Sequence, residues 1–458
     1  MITDRRPVRT AFGLLLASAL AGCHVPEEAG FPDVEALISS RTGQDIHWNR
    51  GSPEDQQAAS AVRSLLGTEL SVDGAIQVAL LSNRRLQAEY EDLGVSQAEL
   101  VQAGLLANPV FSAFVGLPAT SEADPSWAFA LVQDFLDLLM RPARIRLAAI
   151  QFEEAKSRVA HSVLEHAVET ARAYYELVSG QQIQSIRQVV VEAAEAAYLL
   201  AKGMHEAGNM NDRDFAIERA AYEEARVAFA RSQAEVLADR EELTSLMGLW
   251  GAETAFRVPS RLPDLPAAEA PLERLESLAV EQRLDLAAAR YEAHALEQAL
   301  DTARTWRWIG AAELGVESER EPEEEDVIVV GPTATLELPI FDQRQARIAR
   351  LEAEVRRAEA TLAAMAIEIR SEVRAVRDRL LHHRDLAAHY RDVLVPLRER
   401  IVTETQLHYN FMLVGAFDLL LAKRDEVEAY REYVETVRDY WIARADLEHA
   451  VGGRLPSN

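Results

Sequence analysis

Thioether and imidazole groups gather in two stretches of the chain. Met204, His205 and Met210 lie in "MHEAGNMNDRDF", 204–215, and His408 and Met412 lie in "HYNFMLVGAFDL", 408–419. Soft sulfur and imidazole donors suit copper or silver. Metal contact is therefore one reading; Met and His packing or facing solvent at a turn is the other, and no resident metal or cofactor is expected. His382 and His383 are neighbours on a helix, so they point in different directions and chelate poorly. Asp212, Asp214 and Asp418 lie in the same two stretches. Carboxylates near a helix start accept its free N–H groups, so these read as caps, with gate or docking charges as the alternative. The sequence carries no nucleophile elbow, phosphate loop or metalloprotease helix. Its carboxylates follow charge-pair spacing along helices, so an enzyme is not expected.

One thiol remains. Cys23 is the only cysteine in 458 residues, which leaves no intramolecular disulfide. It follows Arg5, Arg6, Arg9 and an apolar run from Ala11 to Gly22. That run is too short for a membrane helix of roughly 20 residues, and the basic start with small residues at its end reads as a secretory signal over 1–22. Leu20-Ala21-Gly22-Cys23 resembles the bacterial lipobox, whose cysteine is lipidated and becomes the mature N-terminus. A plain signal peptide cut near Ala21, with Cys23 incidental, is the alternative. His24 rather than aspartate after the cysteine favours the outer membrane by resemblance to the enterobacterial sorting pattern.

Charge narrows the partners. Lys plus Arg total 48 against 74 Asp plus Glu, a net of −26. Such a surface disfavours nucleic acid and anionic lipid headgroups. Beyond the signal no apolar run reaches 18 residues, so any membrane crossing would have to use strands.

These residues must be positioned by a chain that reads as two copies. "ALLSNRRLQA" at 79–88 matches "AVEQRLDLAA" at 279–288, and "RPARI" at 141–145 matches "RQARI" at 344–348. Asp214 and Gly248 match Asp418 and Gly452. Each copy predicts a helix (Val72–Ala107, Leu272–Thr305), two strands, a very long helix (142–206, 343–410), a tight turn and a helix ending at Gly248 or Gly452. The copies span 72–248 and 272–453. Around them lie an irregular lead-in over 23–71, a proline-rich linker or packed belt over 249–271 and a short tail over 454–458. In the second long helix Ile348, Leu351, Val355, Ala358, Leu362, Met365, Ile369, Val373, Val376 and Leu380 form a coiled-coil stripe with charged flanks. At ~1.5 Å per residue such a helix makes a rod of roughly 100 Å, fit to span a gap. Pro396 should kink the second long helix, where Glu192 stands in the first. The kink reads equally as a gating asymmetry or as a tolerated local bend.

The strand-like runs are 109–117, 127–135, 306–316 and 327–340. Their lengths suit tilted membrane strands of about 9–11 residues, and Trp127, Phe129, Trp306 and Trp308 lie where an aromatic girdle would sit. An ordinary half-buried soluble sheet is the alternative. Four strands cannot close a barrel, and an open edge is not viable in lipid, so a membrane reading demands an oligomer. The hairpin tips are "PATSEADPS" and the acidic "ESEREPEEED", the latter a solvated loop or an acidic pore mouth.

The duplicated unit, "AGLLANPVFS" before the first strand, "ATLELPIFDQRQARIARLEAE" after the last and "GAFDLLLAKRDEVEA" after the second tip make nearly all of the mature chain resemble the TolC-type outer-membrane factors. The resemblance implies a mainly α homotrimer with a twelve-stranded barrel and a helical periplasmic tunnel. It implies tips that dock on a periplasmic adaptor, an inner-membrane pump of RND or ABC type as the energy source, outer-membrane lipid around the barrel, and lipidation at Cys23 as in the drug- and metal-efflux branch. The family's tip glycine is matched by Gly208; in the second tip Met412 takes that place and the glycine comes later, at Gly415. The expected function is a passive exit channel of a tripartite efflux or type I secretion system, lipid-anchored in the outer membrane. The alternative is a periplasmic coiled-coil adaptor or scaffold lipoprotein. The cargo is not legible.

Overall fold

A computed structural model of the chain describes residues 25–117, 125–266, 269, 272–321 and 327–455. Cys23, most of the first hairpin tip and residues 322–326 of the acidic run lie outside the described residues. In chain order the elements are α1 (Phe31–Thr42), α2 (Pro53–Leu66), α3 (Val72–Ser82), α4 (Arg84–Gly104), β1 (Val110–Gly116), β2 (Ser126–Asp134), α5 (Phe135–Glu206) and α6 (Asp212–Leu246). A 3-10 turn (Gly251–Thr254) precedes α7 (Leu275–Gln282), α8 (Leu284–Thr305), β3 (Ala312–Glu321), β4 (Val327–Leu336) and α9 (Gln345–His389). A π turn (Tyr390–Leu394) leads to α10 (Val395–Asn410), and α11 (Ala416–Val451) closes the chain.

Two compact units partition these elements. One comprises residues 1–32, 91–159 and 285–365, and therefore holds the sheet. Its strands run in the order β1-β2-β3-β4, every neighbour antiparallel. Leu300 and Ala303 of α8 bury against Leu351 of α9. Three expected strand limits need correction; β4 ends at Leu336, not at residue 340. β3 starts at Ala312, not at Trp306, because Trp306–Trp308 form a turn and Gly310 packs on Glu337, whose carbonyl lies 2.7 Å from where a Cβ would stand. β3 then runs on to Glu321, so the start of the acidic run is strand rather than loop.

The other unit comprises residues 33–90, 160–284 and 366–458. Its core joins Val78 and Ala79 of α3, Tyr174, Leu177 and Val178 of α5, Leu243 of α6, and Phe256 from the proline-rich segment, all buried. Each of the buried Val, Leu and Phe side chains contributes about 1.5–3 kcal/mol of transfer free energy. Leu70 donates its N–H to the Arg257 carbonyl at 2.8 Å, and Tyr174 donates its hydroxyl to the Leu70 carbonyl at 3.0 Å. Phe256 and Val258 of the segment after α6 therefore pack into this core. Along α9 the whole expected stripe from Ile348 to Leu380 is buried or half-buried.

The single helices expected over Val72–Ala107 and Leu272–Thr305 are each broken, at Asn83 and Arg283, which take extended conformations. Asn83 explains its break. Its Oδ1 accepts the N–H groups of Arg85 and Leu86 at 2.7 and 3.2 Å, capping α4, while its Nδ2 donates to the Leu246 carbonyl at 2.7 Å. Gly248 and Gly452, at φ +66° and +87°, pack directly on these two breaks. A Cβ on Gly248 would fall 2.8 Å from the Asn83 Cα; one on Gly452 would fall 3.3 Å from the Arg283 Cα.

Candidate functional site

Three features concern function: the two hairpin ends, the helix break before Pro396, and the faces of the sheet.

At the first end, α5 stops in a 6→1 turn: Gly208 N–H donates to the His205 carbonyl at 2.9 Å and Asn209 N–H to the Met204 carbonyl at 2.8 Å. At the second, Met412 N–H donates to Tyr409 at 2.9 Å and Leu413 N–H to His408 at 2.9 Å. This is the glycine-terminated helix stop. Gly208 takes φ +77°, and Met412 takes φ +58°. At the second end the turn is thus kept without glycine, and methionine bears the left-handed backbone. Gly415 does something else. It is extended, serves as N-cap of α11, and donates its N–H to Asp418 Oδ2 at 2.8 Å.

The cap of α6 is Asn211, which the sequence reading missed. Its Oδ1 accepts the Asp214 N–H at 2.8 Å, and its Nδ2 donates to Asp214 Oδ2 at 2.8 Å. Asn three residues ahead of an acid was the available signal. Asp214 and Asp418 therefore complete caps, whereas the Asp212 side chain is 98% exposed and lies 3.5 Å from His205 Nε2.

The histidine at the first end is committed to packing. Its ring lies flat on Phe215 at 4.8 Å, and Nδ1 donates to the Met210 carbonyl at 3.1 Å. Phe215 in turn stacks on Tyr198, and Tyr198 on Tyr222, at 5.9 and 5.4 Å. The second end has no comparable ladder among the described residues; Phe411, Met412 and Leu413 are 74%, 93% and 70% exposed. Among the described residues, no group of three or more His, Cys, Asp or Glu is placed to hold a metal ion. The His382 and His383 rings meet edge-on, with centroids 5.8 Å apart and planes at 60°. Near both ends an apolar groove of about 290 Å³ runs between Val189, Ala193 and Ala197 of α5, Ile217 of α6, and Phe417 and Leu421 of α11.

Pro396 has no N–H to offer the carbonyl of residue 392. The chain answers with the π turn at Tyr390–Leu394, closed by Val395 N–H bonding to Tyr390. Burial and the bond its hydroxyl donates to Glu432, at 3.0 Å, push the Tyr390 phenol above its usual pKa. Glu192, by contrast, sits inside an unbroken helix.

The register gives the sheet two faces. One carries Phe111 and Val115, Trp127, Phe129 and Leu131, Leu314 and Val316, then Ile328, Val330 and Leu336. Phe111 stacks on Phe129 at 6.0 Å, and most of these side chains are exposed. The opposite face carries Ser112, Ala128 and Ala130, Glu313, Gly315, Glu317 and Glu319, then Gly331, Thr333 and Thr335. Val110, Phe114, Val132 and Val329 are its large apolar members. β1 and β4 are the edges, and Pro332 sits on one of them, where proline is tolerated. Among the described residues no helix is long and apolar enough to cross a membrane.

The chain shares its fold with solved outer-membrane channels. The solved structures make this specific. The Campylobacter jejuni CmeC outer membrane channel superposes with a TM-score of 0.71 at 14% identity, over 84% of this chain and 87% of that one. The outer membrane protein VceC from Vibrio cholerae gives 0.69 at 16% identity, over 84% and 97%. A membrane protein from Pseudomonas aeruginosa gives 0.71 at 19% identity, over 86% and 94%. No protein-family model and no curated protein matches the sequence.

Proposed function

We propose that this chain is an outer-membrane exit channel, a passive duct rather than an enzyme. Three copies each lend four strands to one twelve-stranded barrel, and their helices continue as a periplasmic tunnel. The carrying observation is the sheet: one face is largely exposed and mostly apolar, interrupted by Gln133, Ser318 and Arg320, the other carries most of the acidic and small residues, and both edge strands lack an outer neighbour among the described residues. In lipid such edges must be paired. Helix breaks at 83 and 283, matching turns at 208 and 412, and glycine stops at 248 and 452 support an origin by internal duplication.

In this reading Gly208, Asp212, Asp214, Met412, Gly415 and Asp418 mark the ends that meet a periplasmic adaptor. The exposed Phe411, Met412 and Leu413 supply the apolar contact. An inner-membrane pump of RND or ABC type supplies the energy. Pro396 gives one of the two long helical hairpins a bend that the other lacks, and Cys23 carries the lipid anchor. Met204, His205, Met210, His408 and Met412 do not form a metal site in this account.

Planar-bilayer recording tests the duct reading, and Cys23→Ala separates anchoring from insertion. The account expects stepwise ion conductance from both proteins. A Cys23→Ala protein that is soluble without detergent and never conducts would favour the scaffold reading.

A further inference from the structure

The chain's charge of −26 argues against anionic lipid, yet charge acts locally. Where the sheet meets the helices the sign reverses. Arg141 and Arg146 follow β2, Arg307 precedes β3, and Arg344 and Arg347 follow β4. None has a carboxylate partner among the described residues. Arg141 donates to the Gly104 carbonyl at 2.6 Å, Arg146 to Pro142 at 3.3 Å and Arg344 to Ile309 at 3.3 Å. Arg307 lies over the Trp308 ring at 4.5 Å, and its buried Nε has no partner.

Three of them, Arg146, Arg307 and Arg344, lie close in sequence to exposed apolar side chains. Phe135, Leu139, Pro142 and Arg146 fall 4, 3 and 4 residues apart on α5, so an exposed stripe ends in a cation. Trp308 is 61% exposed beneath Arg307, and Phe341 is 90% exposed three residues before Arg344. An apolar body with a cationic end is the form that side chains take at a membrane interface. β3 and β4 span 10 residues each; at ~3.3 Å per residue and a tilt of about 40° they cover an apolar band of about 25 Å. The arginines begin just beyond it.

We propose that these five arginines form a belt that binds the phosphodiester headgroups of anionic glycerophospholipid at the helix-side rim of the barrel. This rests on the membrane reading above and adds a lipid class to it. The full-length protein is reconstituted in parallel into phosphatidylcholine vesicles and into vesicles that also contain phosphatidylglycerol. The lipid retained after re-extraction is then counted by mass spectrometry, for the parent and for an Arg146→Gln, Arg307→Gln, Arg347→Gln triple variant. The parent should retain phosphatidylglycerol over phosphatidylcholine by about fivefold or more, less so at high salt. The triple variant should insert equally well and retain the two lipids alike. A parent without preference, or a triple variant with undiminished preference, overturns the proposal. Failure of both proteins to insert into either vesicle overturns the membrane reading itself, and the belt with it.

Discussion

The two hairpin ends make the same turn with different residues and leave different surfaces. The first puts glycine at the left-handed position and covers its sides with the His205–Phe215–Tyr198–Tyr222 stack. The second puts Met412 there and leaves Phe411, Met412 and Leu413 in solvent. Backbone hydrogen bonding fixes a turn; side chains decide whether it is closed on itself or offered to a partner. A shape that tolerates a strained, exposed methionine keeps it at a cost of about 1 kcal/mol, which marks the second end as the one to probe for partner contact.

The largest contrast is expected where the other ends of these hairpins are stopped. Gly248→Ala meets Asn83 backbone at 2.8 Å, whereas Gly452→Ala meets Arg283 backbone at 3.3 Å, both at positive φ. Thermal unfolding should place the first change at about 2 kcal/mol and the second nearer 1; equal losses would mean that the two stops are not distinguished by space. At the tips, Gly208→Met should weaken the first turn by about 1 kcal/mol, and Met412→Gly should strengthen the second by a similar amount. Hydrogen exchange at Asn209 and Leu413 reads these local changes. Met412→Gly without added protection would remove the strain argument.

Much of this was legible in the sequence, because it rests on period and punctuation. The stripe from Ile348 to Leu380 announced its buried face, and Gly248 and Gly452 announced the stops. The fourth strand-like run, expected over 327–340, announced a strand that the structure ends at Leu336. What was not legible depended on tertiary partners. Asn83 breaks a helix that its neighbours would continue, because Leu246 and Gly248 meet it there. The strand after Trp306 was displaced because Gly310 is claimed by Glu337 from the adjoining strand end. Met412 taking glycine's backbone could not be foreseen from propensity, which argues against it.

Smaller effects sharpen the comparison further. Asn211→Ala removes a side-chain cap and should open the start of α6 by about 1 kcal/mol. Asp418→Ala removes only the carboxylate that accepts from Gly415, and should cost about half as much. Exchange at Asp214 and Gly415 distinguishes them; a larger loss at Asp418 would reverse the ranking.

The smallest effect concerns the histidines of the two stops. His166 donates Nε2–H to Leu246 at 2.9 Å. His449 stacks near His161, and burial, helped by His161 and Arg283, holds it below its ordinary value against the pull of Glu372 and Glu165. A depressed histidine binds fewer protons folded than unfolded, so its stabilisation is full above its ordinary pKa and fades as pH falls through it. Between neutral and mildly acidic pH, His449→Gln should lose about 2 °C less melting temperature than the parent; identical slopes would clear His449 of any part.

The mass of the purified particle in mild detergent tests the central claim most directly. The account predicts three chains per particle and no folded single chain at any dilution. A stable, folded monomer with its sheet edges open would contradict it.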